Sequence, residues 1–321
     1  MFELYILAND ADQRLDRFLQ KALPQLPLGL MQKYIRTKRI KVCGKRTAQN
    51  YRLAEGDSIQ LYLPEEFSHI PAKSPPMFSK SLADALIVCY EDEQILIAHK
   101  PPGLLSHSAN GEKDDTLIDQ IKAYLYHTKQ WLPEQEHSFT PALSNRLDRN
   151  TGGLVLTAKT APAQKMLNER IRRHEVSKYY LLAVHGTPTP PAGRIEGFLQ
   201  KDSSRNKVTA VSAKTQEAKS AITEYRTLET RGELSLVECR LITGRSHQIR
   251  VQMADLGTPL LGDPKYGKEK GSGKHSQQAL WAYRLRFDFS GDAGVLNHLQ
   301  GKEFFAPDAP FVKQHFGEGA L

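Results

Sequence analysis

Apolar residues recur at helical spacing in the first part of this chain and at strand spacing through most of the rest. Leu15, Phe18, Leu19 and Leu23 fall on one helical face, with Asp12 placed to cap the helix and Pro24 beyond its end. A second stripe, Leu30, Met31, Tyr34 and Ile35, predicts a helix over about residues 30–37. Residues 39–45 and 56–63 read as strands, the second alternating and introduced by a turn. These elements define a first module over residues 1–64. Residues 65–82 are polar, with Pro71, Pro75 and Pro76, and read as a linker.

The module expected over residues 83–321 opens on a hairpin, residues 85–90 and 95–98 around an acidic turn. Leu117, Ile118, Ile121, Tyr124 and Leu125 mark a helix, and a strand is expected at 154–158. A helix over 163–173 should turn Met166, Leu167 and Ile171 inward. Strands follow at 179–184, 222–228 and 234–242, and a helix over 248–256 opens at the turn Gly244-Arg245-Ser246-His247. Leu285, Phe287 and Phe289 alternate in a late strand, and residues 265–278, rich in Gly, Lys and Ser, read as a mobile loop. Strands outnumber helices and rarely alternate with them. The expected class is α+β, with a mixed, mostly antiparallel sheet and helices alongside.

Charge changes the picture of the first module. Residues 1–63 hold 11 Lys and Arg against 6 Asp and Glu, whereas the remaining 258 residues hold 33 against 30. Lys33, Arg36, Lys38, Arg39, Lys41, Lys45 and Arg46 run without an acidic residue among them. Such a run suits phosphate contacts, which give affinity with little sequence choice, so the first module reads as an RNA-binding head. Cys43, Cys89 and Cys239 have neither zinc-ligand nor redox spacing and are expected as buried free thiols, as in a reducing compartment. Asp10, Asp12, Arg14 and Asp16 close behind the first apolar run argue against a signal peptide. No apolar stretch is long enough to span a membrane, so no membrane partner is expected and the chain reads as cytoplasmic.

The candidate chemistry centres on Asn145-Arg146-Leu147-Asp148-Arg149-Asn150-Thr151-Gly152-Gly153. Two arginines flank one carboxylate and favour its charged form. The glycines are expected to let a substrate approach the backbone. A charged, placed aspartate is a candidate nucleophile or base, while a structural ion pair is the plainer reading of the same residues. His247 reads as a hydrogen-bonding residue rather than a base or metal ligand, because no second histidine and carboxylate stand at matching spacing.

Five segments together decide between those readings. The Arg-Leu-Asp stretch resembles the signature of RluA-type RNA pseudouridine synthases. Residues 99–104, His-Lys-Pro-Pro-Gly-Leu, resemble that family's Asn-Lys-Pro-x-Gly-Leu segment, and Lys178-Tyr179-Tyr180 its Lys-x-Tyr strand. Gly244-Arg245-Ser246-His247-Gln248-Ile249-Arg250 is similar to its Gly-Arg-x-His-Gln-Ile-Arg block, and residues 261–267 to its Gly-Asp-x-x-Tyr-Gly loop. Order and rough spacing agree over about residues 85–310. More loosely, the first module resembles an S4 RNA-binding domain, with Ile-Lys-Val-Cys-Gly-Lys in place of Val-x-Val-Asn-Gly-Lys.

The resemblance implies the pseudouridine synthase fold and a redox-neutral isomerisation of uridine that needs no cofactor and no metal. It implies that Asp148 is catalytic, that Arg250 pairs with it through a bidentate contact, and that Tyr180 lies beside the uracil ring. Arg146 is implied to enter the RNA stack when the uridine leaves it. Tyr179, next along the strand, should face away from the site. Three positions depart from the family pattern: Asn145 for His, Gly152 for Ser and Gln252 for His. The expected partner is structured RNA, large-subunit (23S) ribosomal RNA first and tRNA second, bound by a monomer. A domain that has lost activity and only chaperones RNA is the alternative of another class, against which Asp148, Tyr180 and Arg250 weigh.

Overall fold

The computed structural model describes residues 1–67, 78–108, 115–202, 207–212, 217–267 and 277–317. The chain divides into two compact units. The first comprises residues 1–85, 120–142 and 158–165, and the second residues 86–119, 143–157 and 166–321.

The first unit contains β1 (Phe2–Tyr5), α1 (Leu15–Ala22), α2 (Leu28–Arg36), β2 (Ile40–Val42), β3 (Ser58–Leu61) and α3 (Lys80–Asp84). Its sheet has the order β1-β3-β2 and is antiparallel throughout. Both helical stripes bury as their spacing dictates: Leu15, Phe18, Leu19 and Leu23 pack with Met31, Tyr34 and Ile35 against Ile40, Val42, Ile59 and Leu61. Leu30 is only partly covered.

Asp12 does not cap α1. The N-cap is Arg14, without a side-chain bond, and Asp12 sits in left-handed backbone at φ 55°. That conformation sends its carboxylate to Arg52 and Lys165 instead. Asp10, fully buried, accepts from the Ser138 backbone N–H at 3.1 Å and hydroxyl at 2.7 Å. The first unit therefore takes in more than residues 1–64. α3 begins inside the stretch expected as a linker and runs past its end, and the prolines 71, 75 and 76 of that stretch lie outside the described residues.

The remaining elements are β4 (Ile87–Glu91), β5 (Ile95–Lys100), α4 (Leu117–His127), β6 (Ala142–Leu143), β7 (Gly152–Ala158), α5 (Ala161–Arg172), β8 (Val176–His185), β9 (Ala192–Asp202), β10 (Lys207–Val211), β11 (Lys219–Arg231), β12 (Leu234–Leu241), α6 (Gln248–Asp255), β13 (Leu280–Phe287), β14 (Glu303–Phe305) and α7 (Pro310–Phe316). The large sheet runs β10-β9-β11-β12-β8-β13-β7-β5-β4, with β14 on β13 and β6 on β7. β13 lies antiparallel to β8 and parallel to β7, so the sheet is mixed but mostly antiparallel, as the α+β reading expects.

On α5 the deepest residues are Ala163, Leu167 and Arg170, while Met166 and Ile171 are half-buried. Arg170 belongs inside because Glu175, also buried, meets it at 2.7 Å. The three cysteines are free, but only Cys239 is buried; Cys89 is half-buried, and Cys43 is exposed in a turn at φ 48°. No helix among the described residues is long and apolar enough to cross a membrane. Most of the loop expected at 265–278 lies outside the described residues.

Candidate active site

One residue of β13 joins two parts of the site. Ala282 is the register partner of Tyr180 in β8 and of Gly153 in β7. The aspartate loop enters β7 here, and the approach is close. A Cβ on Gly153 would lie 2.2 Å from the Ala282 carbonyl oxygen, and one on Gly152 would lie 2.2 Å from the Trp281 ring. The glycines are needed for the neighbouring strand, which overturns the expectation that they make room for substrate.

The loop itself is held from several sides. The Ser106 hydroxyl donates to the Leu147 carbonyl at 2.9 Å and accepts from the Leu147 N–H at 3.2 Å. Thr151 N–H donates to the Asp148 carbonyl at 3.0 Å, and Gln278 holds the Thr151 hydroxyl at 2.8 Å. Lys100, fully buried, donates to the carbonyls of Pro101, Leu104 and Arg149 at 3.1, 2.7 and 2.9 Å. Burial pushes its amino group down to about 7, and the Asp148 charge opposes that. Three acceptors match the three N–H donors of an ammonium, so the charged form is the one that satisfies this loop.

Neither neighbouring arginine pairs with Asp148. Arg149 donates to the Gly103 carbonyl at 3.1 Å, and Arg146 is exposed at the mouth of the cavity. The cation beside Asp148 is Arg250 of α6, whose Nη1 is 3.2 Å from Oδ2. The bidentate partner of Arg250 is a different acid. Asp263 takes Nε at 2.7 Å and Nη2 at 2.8 Å, with side chains 7% and 1% exposed. Two planar bonds fix the guanidinium and leave one nitrogen for Asp148.

Burial opposes the Asp263 charge, but Arg250 and the backbone N–H groups of Lys265 and Tyr266 outweigh it and hold the carboxyl below its usual range. Burial likewise opposes the Arg250 charge, and Asp263 and Asp148 together raise it. Asp263 stood inside a recognised motif without a role. Its importance is a tertiary fact, carried by a contact across a gap of 13 residues.

His247, at the N-cap of α6 with φ 53°, places Nε2 3.9 Å from Asp148 Oδ2 and Nδ1 2.9 Å from the Tyr266 hydroxyl. The Tyr266 hydroxyl also accepts from Val208 N–H at 2.9 Å, so it ties the imidazole to β10. Burial lowers the imidazole's pKa, and Arg250 and Lys265 add to this against Asp148. The residue bonds locally, as the sequence suggested.

Asp148, His247 and Arg250 face a cavity of about 370 Å³. Tyr180 and Lys178, two apart on β8, both line it, with Leu241, Ile249 and Leu280 as apolar wall. Burial and then the charge of Asp148 raise the Tyr180 hydroxyl above its ordinary pKa. Tyr179 lies under the Arg284 guanidinium, 3.9 Å from the ring centroid. A concave, half-apolar site with one half-buried carboxylate held by a fixed cation suits a flat, neutral ring and nucleophilic or base chemistry at its edge.

The departures have local reasons. Asn145 accepts from Leu156 N–H at 2.8 Å and so pins the middle of β7. Gln252 is buried, accepting from the Thr223 hydroxyl at 2.6 Å and donating to the Ala221 carbonyl at 3.2 Å, so it fastens α6 to β11. In the first unit Lys33 and Arg36 end α2, Lys38 and Arg39 follow it, and Lys45 and Arg46 follow the Cys43–Gly44 turn after β2; all six are exposed and Lys41 is half-buried. Arg39 lies over the Tyr34 ring and Lys41 over the Tyr62 ring, at 5.5 and 5.3 Å.

The family model for RNA pseudouridylate synthase matches residues 94–255. An RNA pseudouridine synthase of Bacillus subtilis, YlyB, is 31% identical over 86% of each chain. The ribosomal large subunit pseudouridine synthase D of Zymomonas mobilis is 35% identical over 68% of this chain and 67% of its own. Human RNA pseudouridylate synthase domain containing 4 shares the fold, with a TM-score of 0.56 at 22% identity over 73% of this chain and 94% of its own. The matched span runs from β5 to the end of α6 and holds Asp148, Tyr180 and Arg250, and the chain belongs to the RNA pseudouridylate synthase family, as an enzyme of the RluA type.

Proposed function

We propose that this enzyme converts uridines of large-subunit ribosomal RNA to pseudouridine, in the cytoplasm and without a cofactor, using Asp148 as its catalytic carboxylate. The observation that carries the reading is the Asp148–Arg250–Asp263 arrangement at the cavity. Asp263 fixes Arg250, Arg250 holds one Asp148 oxygen, and the other is left for the substrate. The RNA target follows the relatives named for the ribosomal large subunit.

The uridine leaves its stack to reach the cavity, and Arg146 at the mouth takes its place between bases. Tyr180 packs beside the ring. The reaction detaches N1 of uracil from C1′ and joins C5 there instead, with loss of the C5 proton and gain of one at N1. No electron is gained or lost overall, so no redox partner is called for. The first unit, read as an S4-like head, adds phosphate contacts through Lys33, Arg36, Lys38, Arg39, Lys41, Lys45 and Arg46.

Pseudouridine is mapped in ribosomal RNA and tRNA from cells with and without the gene. Loss of one or more large-subunit sites, restored by the wild-type gene and not by Asp148→Asn, is the expected result. Losses confined to tRNA would overturn the ribosomal assignment, and restoration by Asp148→Asn would remove Asp148 from the mechanism.

A further inference from the structure

Lys178 has no stated task in this chemistry, yet it occupies the cavity. β-strand alternation puts it on the face of β8 that carries Tyr180, and both line the cavity wall. Its register partners are Leu241 on β12 and Leu285 on β13, so its surroundings are apolar. Among the described residues no carboxylate, carbonyl or hydroxyl engages its amino group. Burial holds that group below the usual lysine range. An ammonium in such a wall without a protein partner must find its acceptors in the cavity, from water or from a ligand.

We propose that Lys178 selects the base, donating from its amino group to the carbonyl at C4 of uracil. This rests on the uridine reading of the cavity. Uracil offers acceptors at C2 and C4, whereas cytosine presents an amino group at C4, a donor facing a donor, which costs binding. A phosphate is the poorer fit, because its charge would need several donors in this apolar wall. Arg146 and Arg245, both exposed at the cavity, are better placed for phosphates.

The choice of a carbonyl contact also suits the isomerisation. Bringing C5 to the place of N1 amounts to turning the ring about its N3–C6 axis. That turn exchanges C2 with C4, so a second carbonyl arrives where the first stood. One fixed donor thus serves substrate and product alike, and the ring need not find a new partner.

The probe is total RNA from cells lacking the gene, labelled with uridine tritiated at C5, because isomerisation releases that tritium to water. The full-length wild type is compared with Lys178→Met, Lys178→Gln and Lys178→Arg, each checked for its unfolding midpoint. Loss of a charged donor predicts a kcat lower by on the order of 100-fold in Lys178→Met, with KM within about threefold, since most RNA contacts lie elsewhere. Lys178→Gln keeps a neutral donor and is expected to recover to within about tenfold of wild type.

Turnover by Lys178→Met within about threefold of wild type would overturn the assignment. Recovery by Lys178→Arg but not Lys178→Gln, with a smaller salt dependence of RNA affinity in Lys178→Met, would assign a phosphate instead and also overturn it. Absence of tritium release by the wild type would defeat the uridine reading itself. If Lys178→Met does not fold, the Gln and Arg variants decide on the same terms.

Discussion

Two arginines of the second unit are almost equally buried, 6% exposed for Arg250 and 4% for Arg170, and each is bonded to a buried acid. Their surroundings differ. Arg170 spends its remaining contacts on the Asp292 carbonyl, the Met166 sulfur and the Phe289 ring. Arg250 spends two nitrogens on Asp263 and the third on Asp148, whose side chain keeps 24% of its surface. A buried pair by itself speaks of packing. Function is indicated where the same kind of pair leaves one acid facing a cavity.

The strongest way to break this contrast is at the cavity end. Asp148→Asn is expected to lower pseudouridine formation by roughly 10⁴-fold or more, with an unfolding midpoint close to wild type. Arg250→Ala should cost about 10³-fold, and the double variant should be little worse than the more damaging single one, because the two act as a unit. Rates of tritium release for the three proteins, set in a double-mutant cycle, test this; additive losses would separate the residues.

Arg170→Ala should do the reverse. It leaves Glu175 buried without its cation and is expected to cost about 3–5 kcal/mol in urea unfolding, while turnover per folded molecule stays within about twofold. A loss of turnover beyond the unfolded fraction would mean that Arg170 is not merely structural.

A smaller effect sharpens the comparison through pH. His247 has its pKa held below the ordinary value by burial and by Arg250 and Lys265. A depressed pKa means that the unfolded chain binds the proton more readily. The contribution to stability is present above the unfolded value of about 6.5 and is lost as pH falls through the lower folded value. His247→Gln should flatten that acid-side decline in unfolding midpoints. An unchanged slope would show that the imidazole is not shielded as its surroundings require.

The smallest expected effect on chemistry concerns cations that lack both burial and an acid. Replacing Lys33, Arg36, Lys38 and Arg39 with Ala should leave kcat unchanged and reduce the slope of log affinity against log salt by about one for each phosphate no longer neutralised. Substitution is a cleaner test than removing residues 1–64, because Asp10 and Asp12 are bonded to Ser138 and Lys165. An unchanged slope would take this run off the RNA.

What could be read beforehand depended on how local each signal was. The stripes of α1 and α2 were legible because burial on one side leaves a period. β9 is exposed along much of its length and so carries no such pattern. Asp148, Tyr180 and Arg250 are marked by the family's motifs; the residues alone offer a charged aspartate between two arginines. The adjacent arginines were the natural partners in sequence, yet a helix 102 residues further on supplies the cation. Lys100 was seen only as part of a motif, since a lysine that caps carbonyls cannot be told from a surface lysine without the loop around it. Asp12 misled because a cap depends on backbone conformation as much as on residue type.

The fit of Gly152 against Trp281 ties the histories of two positions together. With the ring in place, any side chain at 152 would collide with it, so serine at 152 would require the Trp281 ring to move. A side chain at 152 and a tryptophan at 281 therefore compete for one space, and a larger residue at the first position requires a smaller one at the second. Neither position can be enlarged without regard to the other.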